Sequence, residues 1–312
     1  MIHLTEQDIA RLLPMPLVVD AVREAFTASG VVSMPRVRLR AATAPDASDG
    51  TDLTLNVLAA VLPGGWAGTK SYAARDIGRG HTVVLHTPYQ DEPVALVEAT
   101  LLGALRTGAM SGVATEAMHP EVDVLACVGA GVQAEMQVRG VAAVAVPRQV
   151  RIVSRTRARS EELAHRLRGY GFGAVDVFDD VADAVRGADV VCTATRATEP
   201  VLRGEWLAPG THVNAAGSNG LDRREVDEGL VRRADIVVDS RAQARLECGD
   251  LVPAVDSGLL RWDALVELGD VLGGRRWRGT ADLTLFESQG IGALDVAVAA
   301  AAVQAAWKEG NT

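Results

Sequence analysis

The feature that most constrains the fold of this chain is an apolar segment that runs into closely spaced glycines. Residues 124–128, VLACV, are uniformly apolar, as expected of a strand covered on both faces of a parallel sheet. The next residues fit the pattern G-x-G-x-x-A, and they are Gly129, Ala130, Gly131, Val132, Gln133 and Ala134. In such a unit the first glycine makes the tight turn, the second lets a pyrophosphate approach the backbone, and the small last residue packs helix on strand. Since the following helix presents free N–H groups to phosphates, the segment predicts a dinucleotide-binding site.

Strand and helix patterns alternate after this segment, which predicts a doubly wound sheet. The candidate strands are VRIVSR, AVDVFD, DVVCTAT, THVNAAG and DIVVDS, and the candidate helices are ARSEELAHRLR and RREVDEGLVRR. A further strand is expected at residues 280–286 and a long helix at residues 290–308. Earlier in the chain, helical patterns at residues 5–13, 17–28 and 100–118 flank several short antiparallel strands over residues 36–98.

A chain of 312 residues exceeds the usual size of one domain. We expect residues 119–289 to form an NAD(P)-binding Rossmann domain. Residues 1–118 are expected to form an α+β domain together with residues 290–312, because the final helix is long enough to pack back on it. The expected fold class is therefore α/β, a Rossmann-type doubly wound parallel sheet with a second α+β domain.

Charge and cysteine content exclude several classes of function. A formal net charge of −9 argues against a nucleic-acid partner, which requires a basic face. The three cysteines Cys127, Cys192 and Cys248 have no metal-ligand spacing, so we expect buried thiols and no metal site. No signal peptide is visible and no apolar stretch predicts a membrane span, so we expect a cytoplasmic protein.

Lysine is scarce in this chain. The 31 basic residues include only two lysines, Lys70 and Lys308. A solvated positive charge is therefore nearly always an arginine here, yet Lys70 lies among apolar segments. A buried lysine, unlike arginine, can have its pKa lowered into a range useful for catalysis. Lys70 is either a functional amine or a surface lysine retained by chance.

The end of the second strand of a dinucleotide-binding unit contacts the ribose of the cofactor. An acidic residue there favours NAD(H), whereas this chain has Ser154, Arg155 and Thr156. No carboxylate occurs between Glu135 and Glu161. Hydroxyls and a guanidinium suit a 2′-phosphate, so the sequence favours NADP(H) over NAD(H), although Arg155 could instead be a solvated charge at a strand end.

Several separated motifs resemble those of the ornithine cyclodeaminase/μ-crystallin family over nearly the whole chain. They are Met34-Pro35-Arg36, Gly68-Thr69-Lys70, Arg79-Gly80-His81-Thr82, LGALRTGAMS at 102–111, VGAGVQA at 128–134, VNAAGSNGLDRREVD at 213–227 and FESQGIG at 286–292. The resemblance implies a homodimer whose first domain pairs subunits and binds substrate while the Rossmann domain holds the cofactor. Members of the family cyclise and deaminate ornithine, reduce cyclic ketimines, or oxidise and form amino acids.

The resemblance also implies roles for single residues. Arg106 and Arg36 would hold a substrate carboxylate, with Arg38 a near alternative to Arg36, because a planar guanidinium can bind it through two hydrogen bonds. Lys70 would donate a proton to the substrate nitrogen. Asn219 stands where the cyclodeaminases have an aspartate, and an amide cannot take up a proton. Hydrolytic deamination is therefore disfavoured, whereas reduction of an imine needs no such base.

The remaining expected contacts follow from the same resemblance. Thr82 and Ser288 are expected to line the substrate site. The cofactor is expected to contact, besides the glycine loop and residues 154–156, Thr107, Ser111, Thr195, Ala216, Gly217, Ser288 and Gly290. His81 and His86 have no nucleophilic partner or metal spacing, and we interpret them as core or surface histidines.

Together these features predict an NADPH-dependent reductase that converts a cyclic 2-imino acid to an L-amino acid. The alternatives left open are an ornithine cyclodeaminase, a dehydrogenase of alanine or of an N-substituted amino acid, and a non-catalytic NADPH-binding protein.

Overall fold

The computed structural model describes residues 1–42, 52–74, 80–275, 277 and 281–310. Arg79 of the fourth motif and residue 280 of the last expected strand lie outside them. Within the described residues the strands are β1 (Ile2–Leu4), β2 (Val32–Ala42), β3 (Asp52–Leu62), β4 (Trp66–Ala74), β5 (Thr82–His86), β6 (Ala95–Glu98), β7 (Val124–Val128), β8 (Gln149–Val153), β9 (Ala174–Phe178), β10 (Val190–Thr193), β11 (His212–Ala215), β12 (Ala234–Val238), β13 (Val266–Glu267) and β14 (Leu283–Glu287). The α-helices are α1 (Glu6–Leu12), α2 (Met15–Thr27), α3 (Thr100–Met118), α4 (Val132–Ala142), α5 (Arg157–Gly169), α6 (Val181–Val185), α7 (Glu228–Arg233), α8 (Arg241–Glu247), α9 (Val252–Asp256), α10 (Leu268–Leu272) and α11 (Gly292–Gly310).

The chain forms two compact units. The first consists of Met1–Arg106 and Ile291–Thr312, and the second of Thr107–Gly290. The first boundary falls inside α3 and therefore earlier than the expected boundary at residue 118. The reason is local packing, because the second half of α3 lies against α4 within the second unit. A side chain on Gly108 would meet the carbonyl oxygen of Met136 at 2.0 Å, and one on Gly112 would meet that of Gly140 at 2.3 Å.

The first unit is built on a six-stranded sheet in the order β1-β6-β5-β4-β3-β2. All its pairings are antiparallel except that of β1 with β6. The final helix α11 packs on β3 and β4. Its start lies close to the sheet, since a side chain on Gly292 would come within 3.0 Å of the Ala59 carbonyl oxygen. The expected return of the final helix to the first part of the chain is thus observed.

A local irregularity in β2 decides which of two arginines is buried. The register between β2 and β3 shifts between Met34 and Val37, where Pro35 provides no backbone N–H for the ladder. After this shift Arg36 is buried, whereas Arg38 is exposed. The two arginines therefore differ in burial.

The second unit contains an eight-stranded sheet in the order β13-β12-β14-β11-β10-β7-β8-β9, with every pairing parallel. The chain runs outward from β7 through β8 and β9 and then returns to place β10 on the other side of β7. Such a reversal creates a crevice at the carboxyl ends of β7 and β10, where doubly wound folds bind their ligands. The predicted fold class is confirmed.

Two expected elements differ in extent. The helix predicted at residues 223–233 is confined to α7, because the Asp227 side chain accepts the Leu230 N–H and starts the helix there. The last expected strand is observed as β14 and ends at Glu287. Among the described residues, no helix combines the length and apolar character needed to cross a membrane.

Candidate functional site

Lys70 is buried in the first unit and does not lie on its surface. It is the fifth residue of β4, pairs with Leu58 and Val83 in the sheet, and is only 3% exposed. Its amine donates a hydrogen bond of 2.9 Å to Oδ1 of Asp295 on α11. Asp295 is fully buried, so the ion pair is shielded from water and screened little by salt.

The same carboxylate oxygen also binds Arg106. Nε of Arg106, on the first half of α3, lies 3.1 Å from Oδ1 of Asp295. Both terminal nitrogens of this guanidinium lack a hydrogen-bond partner among the described residues, so they can still bind a carboxylate through two bonds. The other oxygen of Asp295, Oδ2, is buried and likewise has no partner in the described part of the chain.

This group of charged residues carries an excess of positive charge. Among the described residues, Lys70 and Arg106 are two cations that share one anion, Asp295, and the charge of the buried Arg36 also acts on Lys70. A buried excess of cations favours an anionic ligand, because a carboxylate would offset charges that water does not reach. The group can therefore bind an acid.

Opposing effects set the protonation of the Lys70 amine. Burial lowers its pKa from 10.5 to about 8, and the charges of Arg106 and Arg36 act in the same direction. Asp295 opposes them through its charge and its hydrogen bond. Burial raises the pKa of Asp295 itself, but the charges of Arg106 and Lys70 outweigh this and hold it below its usual value. Near neutral pH the amine is thus an ammonium that can lose its proton, beside an ionised carboxylate.

His81 lies next to this amine, and its interpretation as an ordinary core or surface histidine was incomplete. A side chain placed on Gly103 would come within 2.8 Å of the Lys70 amine and 3.7 Å of His81 Nδ1. The imidazole stacks on Tyr72 with ring centroids 4.2 Å apart. Burial, together with the charge of Lys70, lowers the His81 pKa to about 4, so the ring is neutral at physiological pH.

Sequence reasoning did not find Asp295 as a member of this group. A carboxylate within the alanine-rich helix GALDVAVAAAAV was the available signal, because a charge among small apolar residues requires a buried partner. Thr82, expected to line the site, is the half-buried first residue of β5 and pairs with Ser71.

The glycine loop of the second unit has the geometry that the fingerprint requires. Gly129 follows β7 with φ of +126°, and a side chain there would lie 2.5 Å from the Ala194 carbonyl oxygen after β10. Gly131 is the N-cap residue of α4, and a side chain on it would meet nothing within 4 Å. Open space therefore borders the first turn of the helix, where the N–H groups of Val132, Gln133 and Ala134 have no acceptor within the helix. Gln133 Oε1 is buried and also has no partner among the described residues.

The end of β8 places Ser154, Arg155 and Thr156 beside one another. The Ser154 hydroxyl lies 2.8 Å from that of Ser160, and Thr156 is the N-cap residue of α5 without a side-chain cap bond. Arg155 is exposed and forms no ion pair within the described residues. The following Arg157, in contrast, is paired with Glu161 and Asp179. A cation and hydroxyls are thus available to a phosphate at this strand end, and no carboxylate from the strand end opposes it.

Glu225 fixes the far side of the crevice. Its Oε1 accepts bonds from the Thr195 N–H and hydroxyl at 2.6 and 2.7 Å. Its Oε2 accepts from the Thr193 hydroxyl at 2.8 Å and the Gly217 N–H at 2.6 Å. One buried side chain therefore connects the end of β10 with the segments that follow β10 and β11, and two of its partners, Thr195 and Gly217, are residues expected to contact the cofactor.

The other expected contacts have different environments. Ser111 and Ser288 are buried, and neither hydroxyl has a hydrogen-bond partner among the described residues. Gly290 has φ of +82°, and its N–H donates to Asp239 Oδ2 at 2.5 Å. Asn219 is exposed in the loop after β11. Thr107 is buried at the start of the second unit, and Ala216 follows β11 with its N–H bound to the Thr193 carbonyl at 3.0 Å.

Comparison with known proteins assigns the chain to a family. The model of the ornithine cyclodeaminase/mu-crystallin family matches residues 5–311. The chain belongs to this family. The predicted family resemblance is thereby confirmed, and it covers both units of the structure.

Named relatives of this family member include enzymes that act on imines and amino acids. Ketimine reductase mu-crystallin of Mus musculus is 38% identical over 231 residues, which are 74% of this chain and 70% of that protein. The structure of Thermococcus litoralis Delta(1)-pyrroline-2-carboxylate reductase with NADH and L-proline matches with a TM-score of 0.90 and 25% identity, covering 99% of this chain and 98% of that one. An archaeal alanine dehydrogenase dimer with bound NAD matches with a TM-score of 0.89 and 26% identity, covering 99% and 97%.

Proposed function

We propose that this protein is an NADPH-dependent reductase that converts a cyclic 2-imino acid to an L-amino acid. The coarser statement, that it is an NAD(P)-dependent oxidoreductase acting on C=N or CH–NH bonds, rests on its named relatives. The finer statement rests chiefly on one observation: a buried lysine amine and an arginine whose terminal nitrogens bind no other described residue share a single carboxylate oxygen.

Arg106 and Arg36 bind the substrate carboxylate in this proposal. Arg106 is held through Nε by Asp295, which leaves its terminal nitrogens to the ligand. Arg36 is buried and adds a second cation. Because the surrounding protein excludes water, these charges bind an acid more strongly than surface arginines would.

Lys70 supplies the proton. The imine nitrogen gains an electron pair when hydride adds to the neighbouring carbon, and it must carry or receive a proton at that stage. With a pKa of about 8, the Lys70 ammonium can release a proton near neutral pH and recover it from water afterwards. An arginine in this position could not do so.

The glycine loop and the end of β8 fit a phosphorylated nicotinamide dinucleotide. The open space at Gly131 and the free N–H groups of α4 suit a pyrophosphate, and Arg155 with Ser154 and Thr156 suits a 2′-phosphate. Such a cofactor supplies the hydride when bound. Two of the solved relatives contain NADH or NAD, and the proposed preference for the phosphorylated form rests on residues 154–156 of this chain.

Asn219 argues against a cyclodeaminase. Its exposed amide cannot accept the proton that hydrolytic loss of ammonia requires of a base. We therefore expect purified protein to release no ammonia from ornithine.

An exposed apolar surface on β2 and β3 supports a homodimer. Leu39 pairs with Leu55 across these strands, and both are exposed, as are their neighbours Val37 and Leu53. Contiguous exposed apolar side chains of this kind are typical of subunit interfaces. A second copy of the chain is the proposed partner, and light scattering at several protein concentrations tests it.

A substrate panel tests the proposed reaction. NADPH absorbance is followed with cyclic 2-imino acids, with 2-oxo acids plus ammonia, and with ornithine plus NADP⁺ or NAD⁺. We expect fastest turnover with a cyclic imino acid. Fastest turnover with an oxo acid and ammonia would instead indicate an amino-acid dehydrogenase, the second candidate, which the likeness to alanine dehydrogenase favours. Tight NADPH binding without turnover on any of them would indicate a binding protein and contradict the proposal.

A further inference from the structure

Asp295 occupies an unusual place for a carboxylate. It lies in the first turn of α11, fully buried among alanine and valine side chains, and its Oδ1 accepts hydrogen bonds from both Lys70 and Arg106. Burying an ionised carboxylate is costly unless its partners offset the loss of water. Here the partners are two buried cations, so Asp295 bears on the charge and on the position of both.

We infer that Asp295 is a positioning residue that keeps Lys70 in its ammonium form and fixes the Lys70 amine relative to Arg106. This inference rests on the proposed function, because it concerns the proton that the imine nitrogen receives. It assigns Asp295 no contact with substrate.

The charged groups around Lys70 explain why such a residue is needed. Arg106 from α3 and Arg36 from β2 both face the amine and disfavour its charged form. From its own side of the sheet, Tyr72 places its ring centroid 5.9 Å from the amine, and the neighbouring His81 is neutral. Among the described residues, Asp295 is the carboxylate that favours the charged form of Lys70 against these effects. With burial and two arginines unopposed, Lys70 would be a neutral amine at pH 7 and would have no proton to give.

This arrangement specifies which bonds form and which bonds break during the reduction. A C–H bond forms as the imine carbon accepts hydride from a reduced nicotinamide, which is thereby oxidised. The π electron pair of the C=N bond moves to nitrogen, and an N–H bond forms there as an N–H bond of the Lys70 ammonium breaks. The resulting neutral amine remains hydrogen-bonded to Asp295 and recovers its proton from water.

The scarcity of lysine makes a direct test possible. Protein labelled with ¹³C and ¹⁵N in lysine gives side-chain signals from Lys70 and Lys308 alone. Lys308 is exposed near the end of α11 and serves as the internal reference, and a Lys308→Arg variant assigns the two signals. In the wild-type protein we expect Lys70 to titrate near pH 8.

The Asp295→Asn variant provides the decisive comparison. We expect the Lys70 titration to move down by about one to two pH units relative to the wild-type protein. Asp282→Asn, which removes only an exposed ion pair with Arg233, should move neither signal. An unchanged Lys70 titration in Asp295→Asn would overturn the inference.

Two further variants cover the case in which Asp295→Asn does not fold. Asp295→Glu keeps the charge and should keep the Lys70 titration near that of the wild type. Arg106→Gln removes a cation and should move it upward. A downward or absent shift in Arg106→Gln would contradict the electrostatic argument.

Kinetics separate a positioning role from a merely structural one. If Asp295 acts through the Lys70 proton, the reduction rate of Asp295→Asn falls about tenfold or more at pH 8 and recovers towards pH 6, with a smaller change in cofactor KM. A structural defect would lower the rate by the same factor at every pH. The lysine titration requires no substrate and therefore tests Asp295 independently of the reaction. If the protein reduces no imine but shows the expected shifts of the Lys70 titration, the proposed reaction is refuted and the electrostatic role of Asp295 is retained.

Discussion

Gly103 lies directly beside the amine of Lys70. A methyl group on Gly103 would come within 2.8 Å of Nζ, closer than a carbon and a nitrogen that are not bonded can approach without strain. The absence of a side chain in this turn of α3 therefore provides the space in which the amine reaches Asp295.

Gly103→Ala is expected to lower activity while the fold is kept. The added methyl group displaces the Lys70 amine, and a displacement of about 1 Å at a reacting group can reduce the rate by about 100-fold. Steady-state imine reduction measures the loss and circular dichroism checks the fold. Gly169→Ala is the matched control, since Gly169 also lies in a helix and a side chain there would meet nothing within 4 Å. Equal activity in the two variants would show that the space beside Lys70 is not needed.

The rate of imine reduction should fall as the pH rises through about 8. The Lys70 ammonium is the proposed proton donor, and its pKa of about 8 makes it predominantly neutral above that pH. The plateau of kcat/KM should therefore lie below pH 8, with a tenfold decrease per pH unit above it. Oxidation of the product amino acid needs the neutral amine and should show the opposite trend. A reduction rate that stays constant to pH 10 would exclude Lys70 as the donor.

Arg155→Gln should weaken binding of NADPH much more than binding of NADH. A charge-assisted hydrogen bond to a phosphate contributes about 1.5–3 kcal/mol, which corresponds to about 10- to 100-fold in affinity. Fluorescence titration of both cofactors measures the ratio. Arg245→Gln, an exposed arginine of α8, is the control and should change neither affinity. An equal effect of Arg155→Gln on both cofactors would indicate that the protein does not bind a 2′-phosphate through this residue.

Gly108→Ala should destabilise the second unit. A side chain there would lie 2.0 Å from the Met136 carbonyl oxygen, which is backbone and cannot rotate away, so α3 and α4 must separate. Overpacking of this kind costs about 1–3 kcal/mol of unfolding free energy, more than the gain of about 1 kcal/mol from replacing a helical glycine. Urea unfolding measures the difference, with Gly169→Ala expected to be neutral or slightly stabilising.

Acid should destabilise the protein partly through His212. Burial, reinforced by the nearby His119, lowers its pKa from 6.5 to about 3. The unfolded chain therefore binds a proton below about pH 6.5 that the folded ring does not, and unfolding free energy falls as the pH decreases from 6.5 towards 3. Urea unfolding of His212→Gln should show a shallower decrease over this range, whereas His165→Gln, an exposed control, should match the wild type. Identical pH dependence in all three would exclude His212 as a contributor.

Local sequence signals were sufficient for much of the fold. The first helix was predicted from Thr5 and Asp8, which form the expected capping box, and α3 has the bounds 100–118 read from its pattern. The central strands β7 and β10 were recognisable as short apolar runs because both of their faces are buried. In each case the signal and the structure it specifies lie within a few residues of each other.

The members of the charged group in the first unit are far apart in sequence, and this limited their prediction. Lys70 and Asp295 are separated by 225 residues, and no local sequence pattern indicates that their side chains are in contact. Lys70 was recognised through the rarity of its residue type, whereas Asp295 was one carboxylate among many. The proximity of His81 to Lys70 was not predictable for the same reason, since it depends on how β4, β5 and α3 pack. The different burial of Arg36 and Arg38 was likewise not predictable, since β2 has an irregularity in register next to Arg36.

The four hydrogen bonds that Glu225 accepts mean that the crevice after β10 and β11 is assembled without any ligand. Binding of a dinucleotide there would require little ordering of the protein backbone. Little of the free energy gained from its contacts would then be lost to ordering the protein. Hydrogen exchange of the backbone amides of Thr195 and Gly217 should already be slow in the free protein.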